Sequence, residues 1–130
     1  MRRLGWYAHP ACAQHDSGAG HPEKPARLGA IEGALDEAGM RGDVRPIDAP
    51  RAERAAIERV HDAAYVERML ASAPREGTLH LDADTVIGPH SIEAALRAAG
   101  AVVDAVDRVT KGELDAAFCN VRPPGHHAER

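Results

Sequence analysis

The strongest constraint on the fold is a change of hydrophobic period near the end of the chain. From Ser91 onward Ile92, Leu96, Ala99, Val103 and Val106 recur at the three- and four-residue spacing of a helix face, with Ser91 placed to cap the first turn and Glu93 inside it. Lys111 and Gly112 supply the cation and the flexible residue that favour a helix end. The chain then reads Ala116-Ala117-Phe118-Cys119, with Asn120 and Val121 beyond, a near-continuous apolar run. A strand with one wet face alternates, so this run predicts a parallel strand covered on both faces. Such a unit needs further parallel strands beside it and helices across its faces.

Earlier segments can supply them. Leu4 to Ala8 is a short apolar and aromatic run that stops at His9-Pro10, as a strand does on reaching a loop. Residues 11–23 are polar and rich in Gly and His, which predicts a surface loop. After Pro25, Leu28, Ile31, Leu35 and Ala38 recur with helical spacing up to Gly39. Val44 to Ile47 predicts a second strand, and residues 51–60 a short helix. Asp62 is placed to cap another helix that turns Tyr65, Val66, Met69 and Leu70 inward and closes before Pro74. Residues 75–90, with Gly77, Gly88 and Pro89, read as irregular. The order predicts an α/β fold with a mainly parallel sheet flanked by helices.

Composition narrows the partners more than the fold. The net charge of -4 with mixed signs gives no basic field for nucleic acid and no polybasic patch for a membrane. No apolar run approaches the roughly 20 residues of a spanning helix. The start, Met1-Arg2-Arg3 with Leu4 to Ala8, breaks at His9-Pro10 before a secretory core could form. Cys12 and Cys119 read as unpaired thiols, which with the start predicts a cytoplasmic protein. Only 3% of residues are aromatic and alanine supplies much of the apolar count, so the core is expected to be thin.

The chemistry sits after the last strand, in Arg122-Pro123-Pro124-Gly125-His126-His127-Ala128. Two prolines cannot donate to a sheet ladder, so the strand ends and the chain turns. In open α/β sheets, ligands bind in the crevice beyond the carboxyl ends of the strands. Adjacent side chains on a regular strand face opposite ways, so two neighbouring histidines share a site only on irregular backbone, which Gly125 permits. Imidazoles titrate near neutral pH, and a coupled pair lets one accept a proton while the other donates a hydrogen bond. Taken alone, though, a His-His pair is more often two exposed polar residues.

The neighbouring residues shift that balance. Arg122 to Ala128 resembles the signature of the histone deacetylase and acetylpolyamine amidohydrolase superfamily in its class II-like bacterial form. Segments in the expected order extend the resemblance: Gly20-His21-Pro22-Glu23-Lys24-Pro25-Ala26-Arg27-Leu28, Val60-His61-Asp62-Ala63-Ala64-Tyr65-Val66, Asp82-Ala83-Asp84-Thr85 and Ser91-Ile92-Glu93-Ala94-Ala95. The resemblance implies an arginase/deacetylase-like fold in which residues 1–130 are the N-terminal part of a single deacetylase domain. It implies a zinc-dependent amidohydrolase acting on acetyl-lysine or acetylpolyamine-type amides, with a homo-oligomer left open for the full-length protein. His126 would hydrogen-bond the attacking water and stabilise the intermediate. His127 would serve as general base and then as general acid to the leaving amine. His21 falls on the substrate side of the site.

The family's zinc ligands and its oxyanion-binding tyrosine lie downstream of the histidine pair, so no metal ligand is assigned in this chain, and the chain alone is expected to be inactive. His80, Asp82 and Asp84 are not read as substitutes. Glu23 and Arg27 are expected to make structural contacts and His61 to fix a helix junction, while His9, His15 and His90 carry no specific signal. The alternative is a truncated or degenerate deacetylase-like protein that acts, if at all, as a binding module. A histidine-rich metal-binding module is disfavoured, because the histidines lack ligand spacing.

Overall fold

The computed structural model describes residues 1–129. Strand β1 (Leu4–Ala8) leads through the four-residue helix α1 (Ala11–Gln14) to helix α2 (Ala26–Glu37). A 3-10 turn (Arg41–Asp43) opens β2 (Val44–Asp48), followed by helices α3 (Arg54–Glu58) and α4 (Ala63–Ala71). The short strands β3 (Leu79–His80) and β4 (Val86–Ile87) precede the long helix α5 (Ser91–Thr110) and strand β5 (Ala116–Cys119). The main sheet has the order β2-β1-β5 and every pairing is parallel, with Tyr7 of β1 aligned between Ile47 and Cys119. Parallel neighbours need crossover connections, and α2 and α5 provide them. The α/β architecture expected from the sequence is present.

The core lies between α5 and the sheet. Tyr7, Ala49, Ala101, Ala105 and Leu114 form its centre, with Ile47, Cys119 and Val121 packed around them. The Tyr7 hydroxyl donates a 2.7 Å hydrogen bond to Asp104, and burial together with that carboxylate pushes the phenol's pKa up. By strand alternation, Trp6 and Phe118 belong to the opposite face, where their rings stack at 5.1 Å. Six of the buried apolar residues are alanines, Ala11, Ala49, Ala94, Ala98, Ala101 and Ala105, so the thin core is real.

The helical period of α5 is as predicted but its phase is not. The buried face is Ser91, Ala94, Ala98, Gly100, Ala101 and Ala105, whereas Val103 and Val106 of the expected stripe are 37% and 58% exposed. Close backbone approach decides this. A Cβ on Gly100 would lie 1.9 Å from the Pro50 carbonyl oxygen, and the Ala52 N–H donates to the Leu96 carbonyl at 2.9 Å. Only small residues fit there, so the valines face outward.

Three further expectations change. Strand β5 was expected to be covered on both faces, but among the described residues it pairs with β1 alone, and Phe118 is 50% exposed. Residues 11–23 are not simply a surface loop: α1 packs against α5, and Ala11, Cys12 and His15 are buried. The irregular segment 75–90 contains the antiparallel β3–β4 hairpin. No described helix is long and apolar enough to cross a membrane.

Candidate active site at the turn after β5

Beyond β5 the backbone passes through a cis Arg122–Pro123 bond to Gly125, which adopts φ +76°. That left-handed conformation suits a glycine, and it lets the Ala128 N–H donate back to the Gly125 carbonyl at 3.0 Å. The result is what two neighbouring histidines need in order to share a site. The His126 and His127 rings lie with centroids 4.4 Å apart and planes tilted by 47°, both exposed.

Arg122 anchors the start of this turn. It is fully buried, and its fork makes a bidentate pair with Glu23, Nε–Oε1 at 2.9 Å and Nη2–Oε2 at 2.5 Å. Nη1 donates to the Cys12 carbonyl at 3.0 Å and also to the His15 carbonyl, and Nη2 reaches the Glu23 carbonyl at 3.5 Å. Each of the five guanidinium donors thus has an acceptor, the condition under which a buried cation is tolerated. Burial pushes the Glu23 carboxyl up, but the hydrogen bonds and charge of Arg122, helped by Arg27, outweigh it and hold it below its ordinary value. Arg27 also donates to the Val121 carbonyl at 2.8 Å, so both residues make the structural contacts expected of them.

His15 completes the anchor. Its Nδ1 lies 2.6 Å from the Ser91 hydroxyl, which accepts the Gly88 N–H at 2.8 Å. Because the Ser17 hydroxyl donates to the Val86 carbonyl at 3.2 Å, it accepts from His15 Nε2–H, which leaves Nδ1 to accept the Ser91 O–H, and Ser91 does not cap α5 as predicted. The Nε2–H then faces the Ser17 hydroxyl at 3.4 Å and Glu23 at 3.9 Å. Burial first, and the Arg122 charge second, hold this imidazole below its ordinary pKa, hence neutral.

His21 is half-buried with both ring nitrogens engaged. Nδ1 accepts the Glu23 N–H at 3.1 Å, which leaves Nε2–H to donate to the Asp84 carbonyl at 2.9 Å. It ties the Gly20–Leu28 segment to the β3–β4 hairpin, and among the described residues no hydrogen bond joins it to His126 or His127. Asp82 in that hairpin accepts the N–H groups of Asp84 and Thr85, each at 2.7 Å. The Asp84 N–H bond is the main reason its carboxyl sits below the usual value, and the field of His127 adds to it. On the other side, His61 and Tyr65 grip the backbone of Glu129.

Among the described residues no group of three or more His, Cys, Asp or Glu side chains is arranged to hold a metal ion. The zinc implied by the resemblance does not fit these residues, and no chemical step is derived through it. Two buried anchors escaped detection in the sequence. Arg122 could have been noticed as a cation directly after an apolar strand, paired with a glutamate in another motif. His15 gives no local signal at all.

The sequence model of the histone deacetylase domain matches residues 21–130. The chain belongs to the histone deacetylase family. It is 38% identical over 123 residues to a histone deacetylase-like amidohydrolase of Pseudomonas aeruginosa, covering 95% of this chain and 30% of that protein. It is 33% identical to type-2 histone deacetylase 2 of Dictyostelium discoideum, covering 94% of this chain and 9% of that one. The fold superposes on the crystal structure of the HDA15 HD domain with a TM-score of 0.89 and 28% identity, covering 98% of this chain and 38% of that chain. The chain thus spans a minority of the length of these family members. Its parallel sheet with flanking helices is the family's α/β fold.

Proposed function

We propose that residues 1–130 are the N-terminal part of a single deacetylase domain. In that domain His126 and His127 handle protons in the hydrolysis of acetyl-lysine or acetylpolyamine-type amides. The observation that carries this reading is the exposed, mutually facing imidazole pair on a turn fixed by the fully buried Arg122. In the overall reaction, water adds to the acetyl carbonyl and the C–N bond breaks. His127 takes a proton from the water and delivers it to the leaving nitrogen, while His126 hydrogen-bonds the same water. The zinc ligands belong, in this reading, to sequence outside these residues. Free Cys12 and Cys119 suit a cytoplasmic setting.

The test is a chimera that joins this chain to the corresponding remainder of the Pseudomonas aeruginosa relative. It is assayed on an acetyl-lysine peptide and on an acetylpolyamine. Deacetylation is expected, and His127→Ala should lower kcat by roughly 100-fold or more, the usual contribution of a positioned general base. A folded, zinc-loaded chimera that is inactive, or one indifferent to His127→Ala, refutes the assignment. It would favour the second reading, a binding module, for which the exposed Val102, Val103, Val106 and Val109 of α5 offer an apolar face.

A further inference from the structure

The Val60–Val66 segment has no part in the proton chemistry, yet it meets the histidine turn at its downstream end. Glu129 lies two residues beyond His127, and both of its backbone polar groups are engaged. Its N–H donates to the Tyr65 hydroxyl oxygen at 3.2 Å, and its carbonyl accepts from His61 Nδ1. A carbonyl can only accept, so Nδ1 carries the proton in this contact. His61 lies in the junction just before α4, ahead of its N-cap Asp62, and Tyr65 lies in the first turn of the helix. Their rings lie 5.5 Å apart, and the Arg68 guanidinium sits 5.8 Å from the centre of the Tyr65 ring.

The base beneath them is braced. Arg54 pairs with Glu58 in its own helix α3, with Glu67 in α4, and donates to the Ala63 carbonyl at 3.4 Å. The His61 N–H donates to the Ile57 carbonyl at 3.1 Å, which fixes the junction between the two helices.

We propose that His61 and Tyr65 are positioning residues that clamp the Glu129 backbone and so hold the His126–His127 pair in place. The turn then has two anchors, Arg122 before the pair and this clamp after it. A segment tied at one end frays, and one tied at both ends keeps a single geometry. The clamp gives a shared task to motifs that stand far apart in sequence: Glu23 serves the first anchor, and His61 with Tyr65 forms the second. Its catalytic meaning rests on the proton-handling role proposed for the pair, but its existence is measurable without catalysis.

The test uses the 130-residue chain itself, with amide exchange at Glu129 and NMR relaxation of the His126 and His127 imidazoles as readouts. Tyr65→Phe keeps the ring and deletes only the hydroxyl, while His61→Asn keeps a donor near the position of Nδ1 and His61→Ala removes it. Each deletion is expected to speed Glu129 exchange roughly fivefold, the effect of losing one modest hydrogen bond. Both should also increase imidazole mobility, and His61→Asn should restore the His61→Ala loss. Resonances of β1 and α5 report whether each variant stays folded. Imidazoles that keep their mobility in folded Tyr65→Phe and His61→Ala overturn the proposal, as does a failure of His61→Asn to rescue. No activity is read, so an inactive chimera leaves the clamp standing and a missing clamp leaves the proton chemistry standing.

Discussion

Replacing Arg122 by methionine removes the cation while keeping an apolar stem of similar length. Glu23, with its side chain 20% exposed, would then lose its bidentate partner, and the Cys12 and His15 carbonyls would lose their donors. Removing one member of a buried ion pair costs about 3–5 kcal/mol, and the partial exposure of Glu23 argues for the lower end. The stranded carbonyls bring the sum back toward about 4 kcal/mol, because an unpaired buried acceptor costs about 1–3 kcal/mol. Against a total stability of roughly 5–15 kcal/mol, that is a large loss. The assay is urea unfolding followed by fluorescence of Trp6, the single tryptophan, which is buried in the central strand. The double variant Arg122→Met with Glu23→Gln should recover part of the loss, because it leaves no uncompensated charge. An Arg122→Met chain that loses less than about 1 kcal/mol refutes the buried-anchor argument, since a surface pair is worth no more than that.

The same pair gives a signed pH dependence. The folded-state pKa of Glu23 is depressed, so its contribution is present above the unfolded value, about 4.3 for a glutamate. It is lost as pH falls through the folded value. Wild type should therefore lose stability more steeply than Glu23→Gln on acidification below about pH 4.5.

Two other perturbations probe neighbouring parts of the fold. The folded-state pKa of His15 is depressed, so the unfolded chain takes up its proton first, and stability should fall as pH drops through about 6.5. His15→Gln should flatten that limb of the urea midpoint against pH, and an unchanged slope would show that His15 takes up its proton as readily in the fold as in the unfolded chain. Gly100→Ala places a Cβ 1.9 Å from the Pro50 carbonyl oxygen and should cost about 2 kcal/mol or more, because backbone must move. Gly29→Ala, on an open position of α2, should instead stabilise by roughly 0.5–1 kcal/mol, and equal melting temperatures for the two variants would contradict the close-approach account.

The elements of this fold were legible because each has a local signature. The apolar run at Leu4 to Ala8, the periodic stretch after Pro25 and the long stripe from Ser91 all appear as strands and helices near their expected bounds. What the pattern could not supply was orientation. Periodicity shows that α5 has faces but not which one meets the sheet, and the usual rule of burying the larger side chains points the wrong way here. The chain just past β2, at Pro50, crosses so near Gly100 that not even a Cβ fits there, and the other residues buried on that face are alanines and Ser91. The exposure of β5 has a related cause: an apolar run records what a strand can tolerate on its two faces and not what covers it, and Phe118 is half-exposed.

The site divides along the same line. The turn that carries His126 and His127 was legible because Pro-Pro-Gly directly after a strand is a local statement about backbone, and Gly125 is left-handed there. The residues that hold the turn were not. Arg122 reaches acceptors 99 to 110 positions away, and His15 meets Ser91 across 76 positions, separations that no period or cap encodes. Each of those contacts joins a different segment to the turn, so the motifs that stand in order along the sequence also converge in space. The histidine pair could be picked out from seven consecutive residues, whereas the contacts at the two ends of its turn come from Glu23, His61 and Tyr65, with Ser91 holding His15 behind them. Substitutions at those positions should therefore move the histidines without touching them, and that distinguishes a site built by the whole fold from two histidines that merely share a loop.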